Sequence, residues 1–170
     1  QRTDEAEQLI REGLELEPGN PTWLELSAGV SASRGDIPQA IASFEQLVAA
    51  NPTPQSLSQL SLLYLRANRA GDAQALLEQH PEAISASPEL QGVRGSVLVA
   101  LGQTEPAQRV FTLALQRSSS IGEVSTALRQ MISSLGQAEA MALAESVTEM
   151  KDPSWIGLTL ANQSLAQQDY

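Results

Sequence analysis

Apolar residues recur along this chain as small-then-large pairs four positions apart. Ala6 and Ile10, Ala40 and Phe44, Ala73 and Leu77, and Ala107 and Phe111 form the series, with the alanines 34, 33 and 34 residues apart. An i,i+4 pair lies on one face of an α-helix. The alanine lets a second helix come close, and the larger side chain fills the space beside it. A second stripe keeps i, i+3, i+7 spacing: Leu57, Leu60 and Tyr64, then Trp155, Leu158 and Asn162. The pattern therefore predicts helices that pack in antiparallel pairs, repeated at about 34 residues.

Helix ends are marked in phase with that pattern. Asn20-Pro21, Thr53-Pro54, Ser87-Pro88 and Asp152-Pro153 each place a capping side chain before a proline at the first helical position, and Ser120-Ile121 supplies a cap without proline. The cap oxygen accepts an N–H that the helix leaves unpaired, and proline has no N–H to leave unpaired there. Gly35, Asn68, Gly102 and Gly136 fall about 15 residues after successive starts. These residue types tolerate the left-handed backbone just past a helix end. The expected helices are 3–17, 21–34, 37–50, 54–67, 70–80, 88–101, 104–117, 121–135, 138–150 and 153–167. Pro81 shortens the fifth of these, 81–87 is expected to be a longer connection, and 78–88 is expected to show low exchange protection compared with 104–117. Strand signals are absent, so the fold class is all-α.

Composition narrows the chemistry. The 170 residues include 42% apolar side chains, enough for a core, and no cysteine. Disulfides and thiolate metal sites are excluded. A formal charge of -10 opposes nucleic-acid binding, which needs a positive footprint. His80 is the only histidine, which argues against a histidine metal centre or a Ser-His-Asp triad. No apolar run approaches the roughly 18 residues of a membrane span, so no membrane insertion is expected. No phosphate loop, nucleophile elbow or His-Glu-x-x-His motif is present. Glu/Asp pairs sit at the spacing of solvated helix faces. No catalytic residue, cofactor or metal is therefore expected, and the chain is not read as an enzyme.

The phased series resembles the tetratricopeptide repeat (TPR). Its unit favours tryptophan at position 4, leucine at 7, glycine or alanine at 8, tyrosine at 11, alanine at 20, phenylalanine at 24, alanine at 27 and proline at 32. Leu24, Ala28, Ala40, Phe44 and Pro52 fit one unit; Leu57, Leu60, Tyr64, Ala73 and Leu77 fit the next; Gly95, Leu98, Ala107, Phe111 and Ala114 fit a third. Val124, Ala127, Leu128 and Met131, with Ala140, Ala144 and Val147, make a degenerate fourth. The resemblance implies one array over 1–170: the second helix of a preceding repeat at 3–18, repeats at 21–52, 54–87, 88–119 and 121–151, and the first helix of another at 153–170. It further implies a right-handed superhelix (solenoid) of antiparallel pairs.

In such arrays the first helices line a concave groove that holds a peptide or helix of a partner protein. By resemblance, the groove positions of this chain include Glu25, Gly29, Ser33, Ser58 and Ser96. The partner-binding candidates are Leu62, Leu65, Arg66, Val99, Arg129, Ile132 and Leu160. Glu25, Gly29 and Ser33 stand where some relatives grip an acidic chaperone tail with basic and amide side chains, so that clamp is rejected. Trp23 is read as core one position out of register, or as a partly exposed contact, and Tyr64 as a packing residue with a solvated hydroxyl. The acidic first helix reads as a solvated face, and Arg66 and Arg69 as cations placed at a helix end.

The resemblance thus implies a protein–protein interaction scaffold. The alternative is a structural or regulatory repeat arm of a larger enzyme or envelope export protein. Nine arginines against one lysine, in Ala/Leu/Gln/Ser-rich units, look like bacterial members of the family, of the cytoplasm or the periplasm. The series is read as a segment of a longer array. Trp155, Leu158 and Leu165 would then lack part of their covering, which predicts end-to-end self-association or fraying of 160–170.

Overall fold

The computed structural model describes residues 2–150, with side chains from Glu5 to Val147. The helix expected at 153–167, with Trp155, Leu158, Leu160 and Leu165, lies outside them. Among the described residues ten helices follow one another: α1 (Arg2–Leu16), α2 (Pro21–Arg34), α3 (Ile37–Ala50), α4 (Pro54–Arg66), α5 (Ala70–Glu78), α6 (Pro81–Ala86), α7 (Pro88–Ala100), α8 (Thr104–Arg117), α9 (Ile121–Leu135) and α10 (Gln137–Met150). No strand occurs among the described residues.

The caps work as their chemistry requires. Oδ1 of Asn20 accepts from the Thr22 N–H at 2.9 Å, and Oγ of Ser120 accepts from Glu123 at 3.3 Å. Thr53 and Ser56 satisfy each other's backbone N–H groups in a capping box, with serine where glutamate is usual. At the other helix ends, Gly35, Asn68 and Gly102 have φ of 79°, 57° and 75°. In each turn the next residue's N–H bonds back five residues: Asp36 to Ser31, Arg69 to Tyr64 and Gln103 to Leu98. These are three Schellman turns at the expected period. Gly136 differs: its ψ is 161° and its N–H bonds to Ile132.

One expectation is corrected. Residues 81–86 form helix α6 rather than an irregular connection. Pro81 ends α5 but suits the first turn of a new helix, where its missing N–H has no partner to lose. The single large apolar residue of the stretch, Ile84, is buried.

The chain divides into two compact units, one ending at Leu77 and the next starting at Glu78. In the first, α1 packs on α2, α2 on α3 and α3 on α4. Ala28, Ala40, Leu57 and Ala73 are fully enclosed, and Phe44 is buried. In the second, α7 packs on α6, α8 and α9, and α10 packs on α8 and α9. Its core joins Leu98, Ala107, Phe111 and Leu115 to Val124, Leu128, Met131, Ala140, Ala144 and Val147. The small-then-large pairs thus supply the core of both units, as close helix approach requires.

A polar latch ties α3 to the end of α4. The Tyr64 hydroxyl donates to Glu45 Oε1 at 2.7 Å, and Arg69 stacks over the Tyr64 ring at 4.7 Å while binding Asp72 at 2.6 Å. Burial, then the Glu45 carboxylate, push the phenol up to about 12. The folded value lies above that of free tyrosine, so this stabilisation is complete below about pH 10 and is lost as pH rises towards 12. Tyr64→Phe is expected to cost about 1 kcal/mol at neutral pH. It should also flatten the loss of stability between roughly pH 10 and 12 in denaturant titrations. An unchanged decline would assign that loss to other groups.

Candidate functional site

Between α2 and α4 of the first unit lies a groove of about 350 Å³. Helical spacing builds its walls. Glu25, Gly29 and Ala32 follow i, i+4, i+7 on α2; Gln55, Gln59, Leu62 and Arg66 follow the matching face of α4; and Phe44 of α3 reaches the floor. Gln55 Nε2 donates to Glu25 Oε1 at 3.4 Å across one end. Arg66 stands at the other end, eleven residues further along α4, or about 16 Å at 1.5 Å per residue. It is exposed in the last turn of α4, where a cation suits the helix dipole, and no carboxylate pairs with it among the described residues. The groove therefore has an apolar floor with opposite charges at its two ends.

Gly29 holds that floor open. It lies in the interior of α2 and is exposed, and a Cβ there would meet no atom within 4 Å. The other interior glycines of the described helices have packing reasons. A Cβ on Gly13 would collide with the Trp23 ring, one on Gly92 with Gln130 Oε1, and one on Gly95 would come within 2.5 Å of the Phe111 ring. An exposed helical glycine costs about 1 kcal/mol relative to alanine. Gly29→Ala is accordingly expected to raise stability by about 0.5–1 kcal/mol in thermal or denaturant unfolding.

The candidate residues fall into different surroundings. Leu62 and Arg66 share the groove, and Leu65 is half-buried on the same helix. In the second unit, Val99 and Ile132 are half-buried and pack against the core, and exposed Arg129 donates to Thr126 Oγ1 at 3.2 Å. Leu160 lies outside the described residues. Ser58 and Ser96, which the resemblance puts in the groove, are buried. Ser96 bonds Ser134 of α9 at 2.9 Å, and Gln130 sits over Gly92, so α9 rests directly on α7. Sequence reasoning missed Gln55 as a groove residue, although it stands two residues after the Thr53 cap, at the unit's second position, which faces the groove in the repeat it resembles. It also missed Phe44 there, because a core residue can show one edge to a groove. Trp23 is half-buried against Gly13.

Charge elsewhere is spread over the surface. Glu7 pairs with Arg34 at 2.7 Å beside a second hollow, of about 550 Å³, between α1 and α2. Glu5, Glu12, Glu15 and Glu17 are exposed. Among the described residues no cluster of metal-ligating side chains occurs, and no helix is long and apolar enough to cross a membrane.

Residues 31–97 match a family model of the tetratricopeptide repeat. Solved structures share the fold at low identity. The chain is similar to YrrB, a TPR protein with an unusual peptide-binding site, at 15% identity, with 94% of this chain and 84% of that one covered and a TM-score of 0.59. It is similar to a tetratricopeptide repeat protein of Parabacteroides merdae at 18% identity, covering 98% and 68% of the two chains, with a TM-score of 0.65. A thermophilic TPR protein of Thermus thermophilus shows 23% identity over 96% of this chain and 91% of its own, with a TM-score of 0.56. No curated protein matches the sequence.

Proposed function

We propose that this chain, which fits a TPR array, is an interaction scaffold that holds a peptide or helix of a partner protein against the first helices of its repeats. The α2–α4 groove carries this reading: it combines an apolar floor with polar side chains at its rim, Arg66 among them unpaired in the described residues, as peptide sites do. That a structural neighbour is described by its peptide-binding site supports it. In this reading Leu62 and Arg66 contact the partner in the first unit. Leu65, Val99, Arg129, Ile132 and Leu160 are further candidate contacts, each within its own unit, and no catalytic role is assigned to any residue. The repeat boundaries belong to the same proposal: units at 21–52, 54–87, 88–119 and 121–151.

Selection of random peptides on the immobilised chain tests it. Leu62→Asp should weaken the selected binders by at least about tenfold, the effect of losing one central contact, with helical circular dichroism unchanged. Binders indifferent to both Leu62→Asp and Ile132→Asp would place binding elsewhere and defeat the proposal. The second reading, a repeat arm of a larger protein, draws on one observation. Leu9 and Leu16 are 61% and 84% exposed, seven residues apart on one face of α1. A covering segment or protein would bury them.

A further inference from the structure

We infer that the α2–α4 groove selects an extended peptide bearing an apolar residue with a basic residue two positions to one side and an acidic residue two positions to the other. The inference rests on the scaffold reading and goes further, because it fixes the chemistry of the occupant. Three features carry it.

The first is Gly29. In the interior of a helix it forfeits stability, and no neighbouring atom needs the space it leaves. Glycine is the residue that lets another chain approach a backbone closely. At Gly29 the groove that Leu62 and Phe44 also line is left open, with no atom within 4 Å of where a Cβ would stand, room suited to one aliphatic side chain of a ligand. The second is charge. Glu25 stands at one end and Arg66 at the other, both exposed, and Arg66 is unpaired among the described residues. A ligand with complementary ends is attracted to both, and one with a single sign is repelled at one of them. The third is length. In an extended chain, residues i, i+2 and i+4 face the same way and span about 13 Å. Long charged side chains extend that reach to the roughly 16 Å between Gln55 and Arg66. Three side chains on one face therefore match three features of the groove.

The test uses acetylated, amidated pentapeptides and the isotope-labelled chain, titrated to about 5 mM because contacts of this size give weak binding. The probes are Lys-Ser-Leu-Ser-Glu, Lys-Ser-Leu-Ser-Lys, Glu-Ser-Leu-Ser-Glu and Lys-Ser-Ser-Ser-Glu. The first should shift the backbone amides of Gly29, Leu62 and Arg66, and bind about two- to fivefold more tightly than either like-charged peptide. Replacing its leucine should remove binding. Charge exchange supplies the sharper arm. Arg66→Glu should make the double-lysine peptide the best ligand, and Glu25→Arg should make the double-glutamate peptide the best. Gly29→Leu fills the hollow without a clash and should weaken the first peptide by at least about tenfold, while thermal unfolding shows the fold intact.

If peptides shift Leu62 and Arg66 but ignore their own charges and Gly29→Leu, the inference falls and the scaffold reading stands. If the pentapeptides shift nothing near α2 and α4 while peptides selected at random still depend on Leu62, the inference falls again. If selected peptides also ignore Leu62 and Ile132, both fall.

Discussion

Truncating Phe111 to alanine is expected to cost about 3–5 kcal/mol, the upper range for loss of a core side chain. Phe111 has no exposed surface. It sits on α8, whose partners α7 and α9 also touch each other, so its ring is closed in from several helices. The void left behind could not collapse easily, because α7 is held on three sides, and an unrelaxed cavity adds to the lost transfer energy. Small domains are stable by only about 5–15 kcal/mol. Phe111→Ala should therefore remove a large part of the second unit's stability. Denaturant titration followed by circular dichroism measures this, and a loss under about 1 kcal/mol would mean the ring is not a core residue. Phe44→Ala should cost less, since one edge of Phe44 already opens on the groove.

Much of this fold was legible because helix ends and helix contacts use different residue types. Asn20, Thr53, Ser87 and Ser120 announce starts, and Gly35, Asn68 and Gly102 announce stops. Each does so through a local hydrogen bond that needs no tertiary partner. The alanine–large pairs marked the buried face because an α-helix brings i and i+4 together wherever it packs. Helix α6 escaped notice because Pro81 carries two meanings, the end of one helix or the first turn of the next, and Ile84 alone was too little apolar signal to decide between them. The groove was legible only in part. Leu62 and Arg66 could be placed by analogy with a known repeat. That Val99 and Ile132 pack against a core depends on how closely α9 sits on α7, and this is set by Gly92 and Gln130, whose contact no periodicity reveals. The repeat register puts Gly29 at a groove position and Gly95 at the small-residue position, and their neighbours give that difference its physical cause.

That difference gives the second large effect: the same substitution should act with opposite sign at these two glycines. Gly95→Ala places a methyl group 2.5 Å from the Phe111 ring, with two further ring carbons at 2.6 and 2.8 Å. The ring cannot swing aside, because it is fully enclosed. Helix α7 cannot easily retreat, because Leu90, Val93 and Val97 bury its other faces. Overpacking of a rigid core costs about 1–3 kcal/mol, occasionally more, and contact with three ring carbons belongs at the upper end. Alanine's better helix propensity offsets about 1 kcal/mol, leaving a net loss of about 2 kcal/mol. At Gly29 only the propensity term remains, and stability should rise. The clash has a second signature. Phe111→Leu shortens the side chain that the new methyl meets, so the double variant should be more stable than the sum of the single losses by at least about 0.5 kcal/mol, as contacting residues are when they share one space. Additive losses, or a stabilising Gly95→Ala, would show that α7 and α8 lie farther apart than the Gly95–Phe111 contact requires.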